Sequence, residues 1–233
     1  MRLVRMRSNF CFCRLLSISL LMALLASCGE KKPSSNTEEY KEAHGILKNK
    51  ISNLRIKGVL LSIPPELYPN PYSYDRIVRG QADKVTIHIN LNSWLDQPTT
   101  VNSETLGLVR VEIGKHGYES DEKIEEYFNA RKWASINRRP ELDLIEYVEV
   151  GDSGGWGYRT FESTDPLLRT PNGGRLVFNC VGLPGKNPSQ CRTFFQHQKG
   201  VLISYYLSGH LLKKWKDVHK KVIATVNDLI VQE

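Results

Sequence analysis

Val85-Thr86-Ile87-His88-Ile89-Asn90-Leu91 alternates apolar and polar residues with a period of two. Successive side chains of an extended strand point to opposite faces, so this stretch buries Val85, Ile87, Ile89 and Leu91 and leaves its other face wet. Runs rich in Val, Ile, Tyr and Phe at 106–113, 144–150, 158–162, 175–181, 192–197 and 201–207 suit the same half-buried, pleated surface. An eighth run, Gly58-Val59-Leu60-Leu61-Ser62-Ile63, stops at Pro64-Pro65, which cannot donate to a ladder. Eight strands with short hairpin-like connections argue against alternating strand-helix-strand units.

Two helices are expected among these strands. Ser120 or Asp121 caps the first, which runs to about Ser135 with Ile124, Tyr127 and Phe128 facing inward. Ser208 caps a longer one near the C-terminus, where Leu211, Trp215, Val218, Val222, Val226 and Leu229 recur at helical spacing. Its opposite side carries Lys213, Lys214, Lys216, Lys220 and Lys221, a solvated face that can also meet anionic headgroups or an acidic partner. The pattern predicts a single α+β domain over residues 45–233: a largely antiparallel sheet with a long C-terminal amphipathic helix packed on it. Arg138-Arg139-Pro140 could divide it, but strands on both sides more simply share one sheet.

The N-terminus has a different composition. Arg2, Arg5, Arg7 and Arg14 make a positive segment, residues 15–26 form an apolar run of 12, and small Ala26 and Ser27 lead into Cys28. A membrane-spanning helix needs roughly 20 apolar residues, so the run is too short for a stable span. Leu25-Ala26-Ser27-Cys28 resembles the lipobox of a bacterial lipoprotein signal. That resemblance implies a signal peptide over 1–27 and a lipidated Cys28 carrying thioether-linked diacylglycerol and an amide-linked acyl chain such as palmitate. Acyl chains hold a protein at a bilayer without a spanning helix. Residues 29–40 are polar and aperiodic, so 28–44 is expected to be a lipidated, flexible tether. Gly29, where inner-membrane lipoproteins of enteric bacteria carry aspartate, implies a periplasm-facing anchor in the outer membrane, with the inner membrane as the alternative.

Charge and cysteine usage agree with export. Residues 1–27 hold four arginines and no acid, so their removal lowers the net charge from +7 to +3. A nucleic-acid binder would keep a concentrated basic face, and no nucleic acid partner is expected. Cys11 and Cys13 leave with the signal and Cys28 is taken by lipid, which leaves Cys180 and Cys191. An even pair in an oxidising compartment reads as a disulfide.

Residues able to carry chemistry are sparse. Gly151-Asp152-Ser153-Gly154-Gly155 resembles the nucleophile motif of trypsin-like proteases and also fits the G-x-S-x-G elbow of α/β-hydrolases. A protease needs an upstream histidine, and His44, His88 and His116 all lack that family's Ala-Ala-His-Cys setting. Ser153, Asp165 and His197 follow the hydrolase chain order, but an elbow must lead into a helix. Gly155-Trp156-Gly157-Tyr158-Arg159-Thr160-Phe161-Glu162 has breakers and then strand-like alternation, so a polar hairpin turn is expected. His88, His116, His197, His210 and His219 stand apart, with His88 on a polar strand face and His219 partly exposed, and no metal is expected. Glu38-Glu39 and Glu125-Glu126 are adjacent rather than facing, Gly173-Gly174 lacks a P-loop's lysine, and no cofactor is expected.

Recognition is better represented than catalysis. Pro64-Pro65-Glu66-Leu67-Tyr68-Pro69-Asn70-Pro71-Tyr72-Ser73-Tyr74 places three tyrosines on a proline-stiffened loop. Tyr68, Tyr72 and Tyr74 either anchor a protein partner or pack beneath their own loop. Asp152 and Trp156 on the glycine-rich turn are further contact candidates. The order of lipobox, tether, strand ending in Ile-Pro-Pro, late cysteine pair and Trp-bearing terminal helix resembles periplasmic immunity lipoproteins that protect bacteria against toxic antibacterial effectors. The resemblance implies neutralisation by direct binding, with the membrane and an effector protein as partners and no enzymatic step. A structural or accessory envelope lipoprotein of a secretion or assembly system is the second reading, and a serine hydrolase using Ser153 the third.

Overall fold

The computed structural model describes residues 34–94, 107–115, 121–150, 158–182, 186–197 and 200–232, with only the backbone of Tyr72 and Tyr158. Lys57 and Gly58 both have positive φ, the two-residue turn that matches strand twist, and they join β1 (Ser52–Ile56) to β2 (Val59–Ile63) as a hairpin. With β3 (Ile77–Val78) and β4 (Gln81–Ala82) this hairpin makes a four-stranded sheet of order β2-β1-β4-β3, in which β1 and β4 run parallel. The remaining strands are β5 (Lys84–Asn90), β6 (Leu108–Gly114), β7 (Trp133–Arg139), β8 (Leu144–Glu149), β9 (Tyr158–Ser163), β10 (Val177–Val181), β11 (Gln190–Gln196) and β12 (Leu202–Ser208). They form an eight-stranded sheet of order β5-β6-β12-β11-β10-β9-β8-β7, antiparallel at every pairing. The mixed α+β, mostly antiparallel architecture expected from the strand pattern is therefore present, with a second small sheet that the pattern did not anticipate.

Parity along each strand builds the core. Val85, Ile87 and Ile89 of β5, Val109, Val111 and Ile113 of β6, Ile203, Tyr205 and Leu207 of β12, and Phe178 of β10 are all buried in one cluster. The C-terminal element lies on that cluster: a 3₁₀ turn over Gly209–Lys214 leads into α3 (Trp215–Leu229). Leu211, Trp215, Val218, Val222, Val226 and Leu229 are buried as their spacing predicts, and Trp215 meets Phe178 edge to face at 5.3 Å. The indole N–H of Trp215 donates to the Leu142 carbonyl at 2.6 Å.

Several expectations are corrected. The first helix of the sheet domain, α2 (Asp121–Ala130), does not run to Ser135. Ile124 and Phe128 supply its buried face, but Arg131, Lys132 and Ser135 offer nothing apolar to continue it, and the chain instead pairs β7 against β8. Within the expected tether, Thr37 accepts from the Tyr40 amide and caps a short helix, α1 (Glu38–Ala43). His219 is fully interior, its Nδ1 sharing a hydrogen bond with the Tyr205 hydroxyl at 3.0 Å. Burial holds its pKa down at about 4.

Candidate functional site

The eight-stranded sheet has two faces of opposite character. One carries the core, whereas the strand registers align His88, Arg110, Tyr206, Arg192, Asn179, Thr160, Tyr147 and Ile136 across the other, one residue from each of β5, β6, β12, β11, β10, β9, β8 and β7. Antiparallel partners on one face stand about 5 Å apart, close enough for direct side-chain contact. Arg110 lies over the Tyr206 ring at 3.7 Å, and Arg192 lies 5.2 Å from Tyr206 and 5.8 Å from Phe194. A cation within about 6 Å of an aromatic centroid is attracted by the negative face of the ring. Burial and the neighbouring Arg110 charge both lower the His88 pKa, which keeps this imidazole neutral at pH 7.

Among the described residues, helix α2 covers the β7–β11 side of this face. Ile124 and Phe128 pack with Val177 and Phe194, supported by Tyr127, Trp133 and Tyr147. Polar ties fix the helix: the Thr170 hydroxyl donates to Asp121 at 2.6 Å, and Arg175 grips Glu125 and Glu162 at 2.9 and 2.7 Å. Tyr147 donates to Glu162 at 2.7 Å, and burial, with that bond, pushes its phenol up to about 12. Between helix and sheet an apolar groove of about 320 Å³ opens, with Tyr127 and Phe128 on one wall and Thr160, Asn179 and Phe194 on the other. Arg192 and Asn179 face each other in register, so the groove runs into the Arg-Tyr-Arg stack.

Of the partner-contact candidates read from the sequence, the described Tyr68 and Tyr74 pack with the core. Cys28, Asp152, Ser153 and Trp156 lie outside the described residues, as does residue range 151–157 as a whole. Cys180 and Cys191 are bonded, directly opposed on β10 and β11 and buried. Tyr74 is buried, and Tyr68 packs against the core with the Tyr74 ring 6.1 Å away, edge to face. These two rings sit under their loop; of Tyr72 only the backbone is described. The loop serves β5 instead: the Asn70 amide donates to the Thr86 carbonyl and the Thr86 amide donates to Ser73 Oγ, each at 2.7 Å. These bonds satisfy edge groups that would otherwise be open to another strand.

The acid and base of the hydrolase order are engaged elsewhere. Asp165 meets Lys216 at 3.4 Å, and His197 Nε2 meets Asn227 Oδ1 at 2.9 Å. Backbone donation from Leu167, ahead of the Lys216 bond, holds the Asp165 carboxyl below its usual range. On the lysine-bearing side of α3, Lys216 also pairs with Asp143 at 2.9 Å and Lys214 donates to the Trp94 carbonyl, so this side is partly tied to the domain.

No protein-family model matches the sequence, and no curated protein matches it. A solved structure does resemble the fold: Smlt3025, an immunity protein of the Stenotrophomonas maltophilia type IV secretion system, aligns with 79% of this chain and 94% of its own at a TM-score of 0.50. Identity across that alignment is 13%, so what the two chains share is a fold.

Proposed function

We propose that this chain is a lipid-anchored envelope protein that neutralises an antibacterial effector by binding it directly. The observation that carries the reading is the sheet face away from the core, where Arg110, Tyr206, Arg192 and Phe194 gather beside an apolar groove. Trp, Tyr and Arg are enriched among the few residues that carry most of the binding energy of protein interfaces. The fold likeness to an immunity protein supports the same reading, and the Leu25-Ala26-Ser27-Cys28 motif supports the anchor. The protein performs no chemical step in this scheme; it occludes the effector, with the sheet as a rigid platform.

The test is affinity capture by the full-length chain from detergent-solubilised envelopes of its native organism under oxidising conditions, followed by co-expression with the captured protein. A stoichiometric partner whose toxicity the chain abolishes is the expected result, with Tyr206→Ala weakening both capture and protection. Capture of secretion or assembly components without toxicity would assign the chain to an accessory envelope role. Protection that survives Tyr206→Ala and Arg110→Ala together would remove the sheet face from the mechanism.

A further inference from the structure

We infer that Arg192 is the receptor for a carboxylate on the partner, and that the partner segment is acidic with an apolar residue beside the acid. The inference rests on the binding-protein reading and specifies its chemistry. Arg131, Arg139, Arg159 and Arg175 each meet a glutamate. Arg192 meets none among the described residues: its Nη2 reaches Ser204 Oγ at 3.4 Å, and its Nε is buried with no hydrogen-bond acceptor. Its Nη1, unlike Nε, is not buried and makes no hydrogen bond among the described residues, so it is the donor left for an acceptor from outside. Nearby Glu112 is already engaged, by Lys84 at 3.3 Å and by Arg110 at 3.7 Å.

Geometry selects the anion. The guanidinium lies over the Phe194 and Tyr206 rings, 5.8 and 5.2 Å from their centroids, with Nη2 on Ser204 and Nη1 unpaired among the described residues. The two Nη donors at the tip of a guanidinium match a carboxylate bidentately. Arg110, on the far side of Tyr206, adds positive potential to the same spot. Asn179 stands opposite Arg192 and lines the groove with Phe128 and Phe194. An extended segment that sets an Asp or Glu on Arg192 therefore brings a neighbouring aliphatic or aromatic side chain to the groove.

The test is NMR titration of the full-length chain in detergent micelles with acetyl-Asp-Leu-Asp-amide and acetyl-Asn-Leu-Asn-amide, following the Arg192 Nε–H resonance. The expected result is a saturable shift with the aspartyl peptide, about tenfold weaker with the asparaginyl peptide, the size of one charge-assisted hydrogen bond. Arg192→Gln should abolish the preference, and Arg192→Lys, which keeps the charge without the fork, should retain part of it. Equal affinity for the two peptides, or undiminished preference in Arg192→Gln, would overturn the assignment. An effector captured equally by wild type and Arg192→Gln overturns this inference and leaves the binding role standing. An Arg192 response in a chain that captures no effector overturns the role instead.

Discussion

The hydroxyl of Tyr205 and Nδ1 of His219 meet at 3.0 Å where the last strand faces the last helix. The ring of Phe195 lies 5.7 Å from the same imidazole, and His219 is 3% exposed. Protonation would put a charge into this interior, and burial accordingly lowers the His219 pKa to about 4. A folded-state pKa below the unfolded value of about 6.5 means that the unfolded chain binds the proton more readily.

Stability linked to His219 is therefore complete above pH 6.5 and lost as pH falls through 4, by about 3 kcal/mol in all. Unfolding free energies from urea titrations at pH 7.0 and 4.0 should differ by that amount beyond the contribution of carboxylates. His219→Gln should flatten the profile over this window, at the cost of some stability at pH 7. An unchanged slope in the variant would show that the imidazole does not report on unfolding.

Glu146 and Arg159 form an ion pair in the interior, 1% and 0% exposed, and Arg139 also reaches Glu146 at 3.2 Å. Two donors of Arg159, Nε and Nη2, have no acceptor, so Glu146 is the anchor for its charge. Glu146→Gln should destabilise the fold by about 3–5 kcal/mol, because it leaves a buried guanidinium uncompensated. Replacing both partners, as Glu146→Leu with Arg159→Met, should recover much of the loss. A double variant no more stable than Glu146→Gln would indicate that packing, rather than the lone charge, sets the penalty.

Much of the fold was legible because strand parity is local. Val85, Ile87 and Ile89 announce their burial within one heptapeptide, and the stripe from Leu211 to Leu229 does so along one helix. β1 was missed although Ser52, Leu54 and Ile56 alternate inward, since polar Asn53 and Arg55 separate only three buried residues. The first three residues of β7, up to Ser135, fall in the expected helix because the inward residues of this strand are sparse and its identity comes from pairing with β8. The outer face was invisible for a different reason: Arg110, Tyr206 and Arg192 are neighbours only through register between strands distant in sequence. The available signal was large aromatic and arginine residues at outward parity, where Lys, Glu and Thr are commoner.

The Cys180–Cys191 bridge joins residues that already face each other across β10 and β11, with both sulfurs buried. It closes a short loop, worth roughly 3 kcal/mol in the chain-entropy model. Cys180→Ala with Cys191→Ala should lower stability by about that amount while far-UV circular dichroism persists, because the ladder and the Phe178–Trp215 contact remain. In the wild type, alkylation after mild reductant should proceed only as fast as global unfolding. Rapid modification under native conditions would mean that β10 and β11 separate locally.

Ser73 supports the sheet edge. Its hydroxyl accepts the Thr86 amide at 2.7 Å, and both residues are buried, so water cannot replace the bond. β5 is an end strand of the eight-stranded sheet, with β6 on one side and this loop contact on the other. Ser73→Ala should cost about 1–3 kcal/mol, the penalty of a buried amide without an acceptor. It should also free the edge for pairing between molecules, which light scattering over a concentration series would detect as association. If the urea midpoint falls but the chain stays monodisperse, the remaining Asn70–Thr86 bond suffices to block the edge. If neither changes, the proline-rich loop is held by Tyr68 and Tyr74 packing alone, and β5 needs no cap from Ser73.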